Sequence, residues 1–240
     1  MRESPKLLDS GSLDGVKHQQ AVCDSTQTVA STPKIFSESL DRDRILAWLD
    51  ENVPAKRLQH ILRVESMAIE LAERHQLDPE QAAQAGLMHD LAKYFKPQRL
   101  LQLALDHGVT VDPVLEANPH LLHADVSAIV AQTEFGLNDA EVLDAIRHHT
   151  LGSPGMGLLS CVVFLADSLE PGRGDSTELK TLRKASRKDL HRGVWLTSEY
   201  TLQFLFDKPS LIHPRLVLTR NWAMQIAAKK KSRELPESKV

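Results

Sequence analysis

Residues 78–93 read DPEQAAQAGLMHDLAK, and this stretch decides how the rest of the chain is read. Asp78 supplies a helix N-cap, Pro79 the first helical position, and Gln81 the third residue of a capping box. Ala82, Ala83, Leu87 and Met88 then form one apolar face at helical spacing. On that helix His89 and Asp90 stand side by side before the chain returns to Leu91 and Ala92. Neighbours on a helix point about 100° apart, so both side chains can address one centre only where the helix borders a cavity.

Helical signals extend in both directions. DRDRILAWLDENV opens near Asp41, and AKRLQHILRVESMAIELAERHQ over 55–76 repeats its apolar positions Leu58, Ile61, Leu62, Ala68, Ile69 and Ala72 at three- and four-residue steps. Gly108 and Gly136 sit where helix C-terminal glycines belong, and Asn138 with Glu141 repeats the capping-box pattern before VLDAIRHH. Further helices are expected at about 97–106, 120–134, 157–169, 175–187, 189–207 and 213–231. No strand-like alternation of useful length competes, so the fold class is all-α. Trp195, Tyr200, Phe204 and Phe206 are expected to pack in the core from their helix.

The frame around these helices is ordinary. With 240 residues, 42% hydrophobic and 25% charged, the chain has the balance of a globular protein with one main core. A formal net charge of −3 gives no electrostatic case for nucleic acid or an anionic membrane as partner. The two cysteines, Cys23 and Cys161, lie far apart, which points to a reducing cytoplasm rather than a disulfide framework. The apolar run around Cys161 is too short to span a bilayer, and the N-terminus lacks the apolar segment of a signal peptide. Residues 1–38, polar and without sustained periodicity, read as a disordered or loosely attached leader; 39–228 form the domain; 229–240 are a polar tail.

Eleven histidines is a high count, and His60, His89, His123, His148 and His149 fall in the most apolar, most helical third of the chain. Asp90, and Asp167 in VVFLADSLEPGRG, occupy similarly apolar settings. A carboxylate there needs a cation, strong donors or a metal. Imidazoles with carboxylates and no thiolate suit iron, manganese, cobalt or zinc, and several helices each offering one or two such groups is how bundles build metal sites. No HExxH, glycine-rich phosphate loop or GxSxG pattern competes for the role.

The strings RLQHILRV (57–64), HDLAKYF (89–95), LLHADVSA (121–128), IRHHTLG (146–152) and LADSLEPGR (165–173) together resemble the HD superfamily of metal-dependent phosphohydrolases. More narrowly they are similar to its YqeK-type branch, the symmetrical bis(5'-nucleosyl)-tetraphosphatases that cleave diadenosine tetraphosphate into two ADP. The resemblance spans about 45–225. It implies an HD-domain helical bundle with a metal site between helices, in which His60, His89, Asp90 and Asp167 hold the metal, most often Fe, with Mn, Co or Zn as alternatives. His123 and His149 would contact substrate phosphates or complete a second metal position. Arg57, Lys93, Asp167 and Arg173 would meet the substrate, and Asp90, Asp167 and Lys93 would act in catalysis. Asp125 and Ser127 depart from the family pattern after His123, as does Ser153 after TLG. The expected partner is a small dinucleoside polyphosphate, with a homodimer left open. The alternatives are an HD nucleotidase or pyrophosphatase for another phosphorylated nucleotide, and a non-catalytic nucleotide-binding HD module.

Overall fold

The computed structural model describes residues 41–234, with side chains through Lys230. The leader expected at 1–38 therefore lies outside the described residues. Among those residues there is no strand, and no helix is long and apolar enough to cross a membrane. Eleven α-helices follow one another in the described residues: α1 (Arg42–Asn52), α2 (Ala55–Arg74), α3 (Pro79–Met88), α4 (Pro97–Asp106), α5 (Pro113–Ala117), α6 (His123–Phe135), α7 (Ala140–His148), α8 (Leu158–Leu169), α9 (Thr177–Lys188), α10 (Leu190–Phe206) and α11 (Pro214–Glu234). The last of them continues past position 228, where the sequence pattern suggested that the tail begins.

The core is built around α8. Every residue from Leu159 to Ala166 is buried, as expected for a helix apolar on all sides. Each large aliphatic side chain buried there contributes about 1.5–3 kcal/mol. Around it pack α2, α3, α7 and α10, with α6 beyond α7 and α11 against α10. The α2–α3 contact is close: a Cβ on Gly86 would lie 2.9 Å from the Cα of Glu65. The end of α3 is thereby pressed against the middle of α2, the helix that carries His60.

Local chemistry explains the helix boundaries, with three departures from the sequence reading. Asp78 caps α3 by accepting from the Glu80 N–H, but Gln81 does not close a box with it; its Nε2 donates instead to Asp139 Oδ2 at 2.8 Å. Asp139, not Asn138, caps α7, accepting from the N–H groups of Glu141 and Val142. And α3 ends at Met88, so His89 is its C-cap and Asp90 lies in the following turn rather than inside the helix. Gly136, at φ 72°, ends α6 in the left-handed conformation, as its position suggested.

The aromatic stripe on α10 is also corrected. Trp195 is partly buried, but Tyr200, Phe204 and Phe206 are exposed. The face of α10 that meets the core is Leu190, Gly193, Val194, Thr197 and Ser198; positions 200 and 204 continue the line of Gly193 and Thr197 at three- and four-residue steps, but beyond Ser198, the last buried residue of the helix. Lys208 Nζ lies 4.0 Å from the Phe204 ring centroid, a cation–π contact at the surface.

Candidate metal centre

Three of the histidines stand at helix ends, and their backbone position sets their chemistry. The last carbonyls of a helix have no partner within it. His89, following α3, donates Nδ1–H to the Gly86 carbonyl at 2.7 Å, and His149, following α7, does the same to Ile146 at 2.8 Å. His123, where the 3-10 turn Pro119–Leu122 passes into α6, donates to the His120 carbonyl at 2.5 Å. A carbonyl can only accept, so in each neutral ring the proton is on Nδ1 and the lone pair on Nε2. All three Nε2 atoms face the same interior point.

His60 reaches that point from α2. Its Nε2 lies 3.0 Å from Asp167 Oδ1 and 3.9 Å from Asp90 Oδ2. His89 Nε2 is 3.3 Å from Asp90 Oδ2 and 3.9 Å from Asp167 Oδ1. The other oxygen of Asp90 is 3.3 Å from His123 Nε2 and 3.8 Å from His149 Nε2. Donor atoms of His60, His89 and Asp167 lie within 4.8 Å of one another, and so do those of His89, Asp90 and His149. His89 is common to both sets.

The electrostatics of this cluster call for a cation. Burial alone would raise the Asp90 carboxyl, yet His89 and His123 beside it hold it well below the usual carboxylate range. Burial is likewise overruled at Asp167, whose pKa is lowered by its hydrogen bond to His60, by His89 and His149, and by Arg173. For His89, burial opposes a charge, but Asp90 and Asp167 outweigh it and its pKa rises. Burial lowers His149 far below its ordinary value, reinforced by His89 and His123, so its lone pair is free. His123 Nε2 and His149 Nε2 approach to 3.0 Å, which two lone pairs tolerate only with a proton or an ion nearby. His89 Nε2 and Asp90 Oδ1 are buried without any hydrogen-bond partner. This set of nitrogen and oxygen donors fits a divalent metal ion, and an ion taking the place of the proton on His89 would release that proton.

The cations named from the sequence also converge here. Arg57 NH1 donates to Asp90 Oδ2 at 2.9 Å, Lys93 Nζ to His123 Nε2 at 3.1 Å, and Arg173 NH2 to Asp167 Oδ1 at 2.6 Å. Asp90 is 2% exposed in its side chain but Asp167 19%, Arg57 22% and Arg173 39%, so the cluster opens to solvent on the Asp167 side. His148 turns away and meets Ser160 Oγ at 3.3 Å. Asp125, the departure after His123, lies 3.8 Å from Arg215 on α11, outside the cluster.

Three participants were missed in the sequence. Thr150 Oγ1 lies 3.0 Å from His149 Nε2 and 3.2 Å from His123 Nε2. Glu170 accepts from His60 Nδ1 at 3.0 Å, and Arg63 Nε donates to Glu170 at 2.6 Å. The signal for Glu170 was present: it is a second acid one turn after Asp167 in the same apolar run, and the rule that a buried carboxylate needs a partner applies to both.

The HD domain signature matches residues 57–172, which contain the whole cluster. Over 183 residues the chain is 36% identical to the symmetrical bis(5'-nucleosyl)-tetraphosphatase of Bacillus subtilis (strain 168), covering 76% of this chain and 97% of that protein. It is 32% identical over 176 residues to the Staphylococcus aureus (strain NCTC 8325 / PS 47) protein of the same name, covering 72% and 89% of the two chains. Among solved structures, an HD superfamily hydrolase from Clostridium acetobutylicum, described as involved in NAD metabolism, superposes with a TM-score of 0.74 at 33% identity, covering 77% of this chain and 97% of that one.

Proposed function

The chain belongs to the HD domain family, in the branch named for symmetrical bis(5'-nucleosyl)-tetraphosphatases, and from that premise we propose that it hydrolyses diadenosine tetraphosphate into two ADP. The observation that carries this reading is the meeting of His60, His89, Asp90, His123, His149 and Asp167, drawn from five separated strings, around one buried point whose donor set fits a cation.

In this reading His60, His89, Asp90 and Asp167 hold a divalent metal, iron in preference to Mn, Co or Zn, which when bound supplies Lewis acidity to a phosphoryl oxygen and lowers the pKa of a water. The protein does the rest. Asp167, the more exposed of the two carboxylates, orients the attacking water, whose proton leaves to solvent on that open side. Water adds at an inner phosphorus, the bridging bond between the two central phosphates breaks, and each half leaves as ADP. Lys93 and Thr150 offer donors on one side of the point, where the His123 and His149 lone pairs would complete a second metal position, and Arg57 and Arg173 lie on the other. Together they bear the charge that spreads over the phosphoryl oxygens, the dominant demand in phosphoryl transfer. Arg57 and Arg173 release their carboxylates in part when the polyphosphate enters. A reducing compartment suits the free, buried thiol of Cys161, and we take the cytoplasm as the site of action.

Incubation of the metal-loaded protein with diadenosine tetraphosphate, with products resolved by ion exchange, tests this directly. Two ADP per substrate is the expected result. AMP plus ATP would contradict symmetrical cleavage, and no hydrolysis with any of the four metals would overturn the assignment.

A further inference from the structure

His60 differs from the other cluster histidines in what stands behind it. Those three lean on a carbonyl three residues earlier in their own chain segment, whereas His60 Nδ1 meets Glu170 Oε1, a carboxylate 110 residues away. Glu170 is 1% exposed. Its second oxygen accepts from Arg63 Nε at 2.6 Å and from the Gly172 N–H. Arg183 fixes the backbone around it, donating to the carbonyls of Leu169 at 2.7 Å, Glu170 at 3.1 Å and Gly174 at 2.8 Å.

We infer that Glu170 and Arg63 are positioning residues that act through His60: Glu170 fixes the proton on Nδ1, so that an ion displacing the Nε2 proton from its hydrogen bond with Asp167 meets an Nε2 lone pair aimed at the metal point, while Arg63 holds Glu170 in register. A carboxylate behind a ligating imidazole raises the basicity of the ligand and locks its ring. His60 has no carbonyl of its own to serve this purpose because it lies inside α2, where the carbonyls are taken by the helix. Gly172 belongs to the device by its size. A Cβ there would stand 2.5 Å from Arg63 NH2 and 2.6 Å from Nε, so any side chain would push the guanidinium off Glu170. Since the guanidinium is the far end of a flexible chain, it can yield without disturbing the fold.

The inference rests on the proposed metal site, and a binding measurement separates the two. Mn(II) titrated calorimetrically into the metal-free protein should bind about 10–100-fold more weakly to Glu170→Ala than to the parent. Glu170→Gln, which keeps an acceptor but not the charge, should recover part of the loss. Arg63→Met should weaken binding, and should add little on the Glu170→Ala background because both act on one ring. Gly172→Ala should weaken binding with its melting temperature near that of the parent, and kcat should fall more than KM changes in each variant. A parent protein that binds no metal sinks the functional reading and this one together. Metal affinity unchanged in Glu170→Ala or Gly172→Ala, whatever happens to the melting temperature, overturns the positioning role alone.

Discussion

The two ends of α8 treat a buried ionisable group in opposite ways. Near its N-terminus the Cys161 thiol is pushed by burial, reinforced by the negative charge of Asp189, from 9.0 up to about 12. Near its C-terminus Asp167 experiences burial as well, yet its carboxyl is held well below the ordinary range by the His60 hydrogen bond, the neighbouring histidines and Arg173. Less than two turns of helix separate them. Burial favours the neutral form at both places, and only the second has partners that reverse the outcome. The same helix thus provides an inert core at one end and a carboxylate held in its charged form at the other.

The largest expected consequence is in turnover. Asp167→Ala should abolish hydrolysis of diadenosine tetraphosphate, a loss beyond the 10–100-fold range typical of outer-shell changes, with helical circular dichroism retained. Cys161→Ala should leave kcat within about twofold of the parent, since volume-reducing core changes act on stability rather than on a site they do not touch. Comparable activity in the two variants would erase the distinction between the ends of α8. The next effect is in thiol reactivity. A shift from 9.0 to about 12 leaves about a thousandfold less thiolate at neutral pH. With Cys23 replaced by Ser, Cys161 should therefore resist alkylation until denaturant is added, and rapid labelling of the native protein would show that burial does not govern this end.

Much of this was legible in the sequence because it is local. Helix starts at Asp41 and Asp78 and the stop at Gly136 depend on residues within a few positions. The ligand candidates announced themselves as polar groups in apolar runs. What could not be read was which distant group completes each one. The Gln81–Asp139 bridge joins helices 58 residues apart, and the His60–Glu170 contact spans 110. Neither leaves a periodic trace. The exposure of Tyr200 and Phe204 has the same origin: an apolar stripe becomes core only where another element covers it, and the buried part of α10 stops at Ser198.

Removing the cation rather than the acid sharpens the comparison. Arg173→Met takes away the 2.6 Å donor to Asp167 while leaving His60 in place. Asp167 should then move part of the way toward the behaviour of a buried group without partners. Turnover should fall by about 10–100-fold, as for other outer-shell partners of a ligand. Retained full activity would mean that Arg173 serves neither Asp167 nor the substrate.

The smallest effect is on stability, and its sign differs between the two ends. For Asp167 the folded-state pKa lies below the ordinary 3.8, so its contribution is present above that value and disappears as pH falls through the folded value. For Cys161 the folded-state pKa lies above the ordinary 9.0, so its contribution is complete below 9.0 and disappears as pH rises through about 12. Melting temperatures of the metal-free protein should therefore decline on an acid limb that Asp167→Asn makes shallower, and on an alkaline limb that Cys161→Ala makes shallower. Each variant should leave the other limb unchanged. The acid limb should flatten only in part, because Asp90 and Glu170 carry lowered pKa values of their own and remain in place. The alkaline limb should lose its whole thiol component, since Cys161 stands on α8 without a second buried thiol among the described residues.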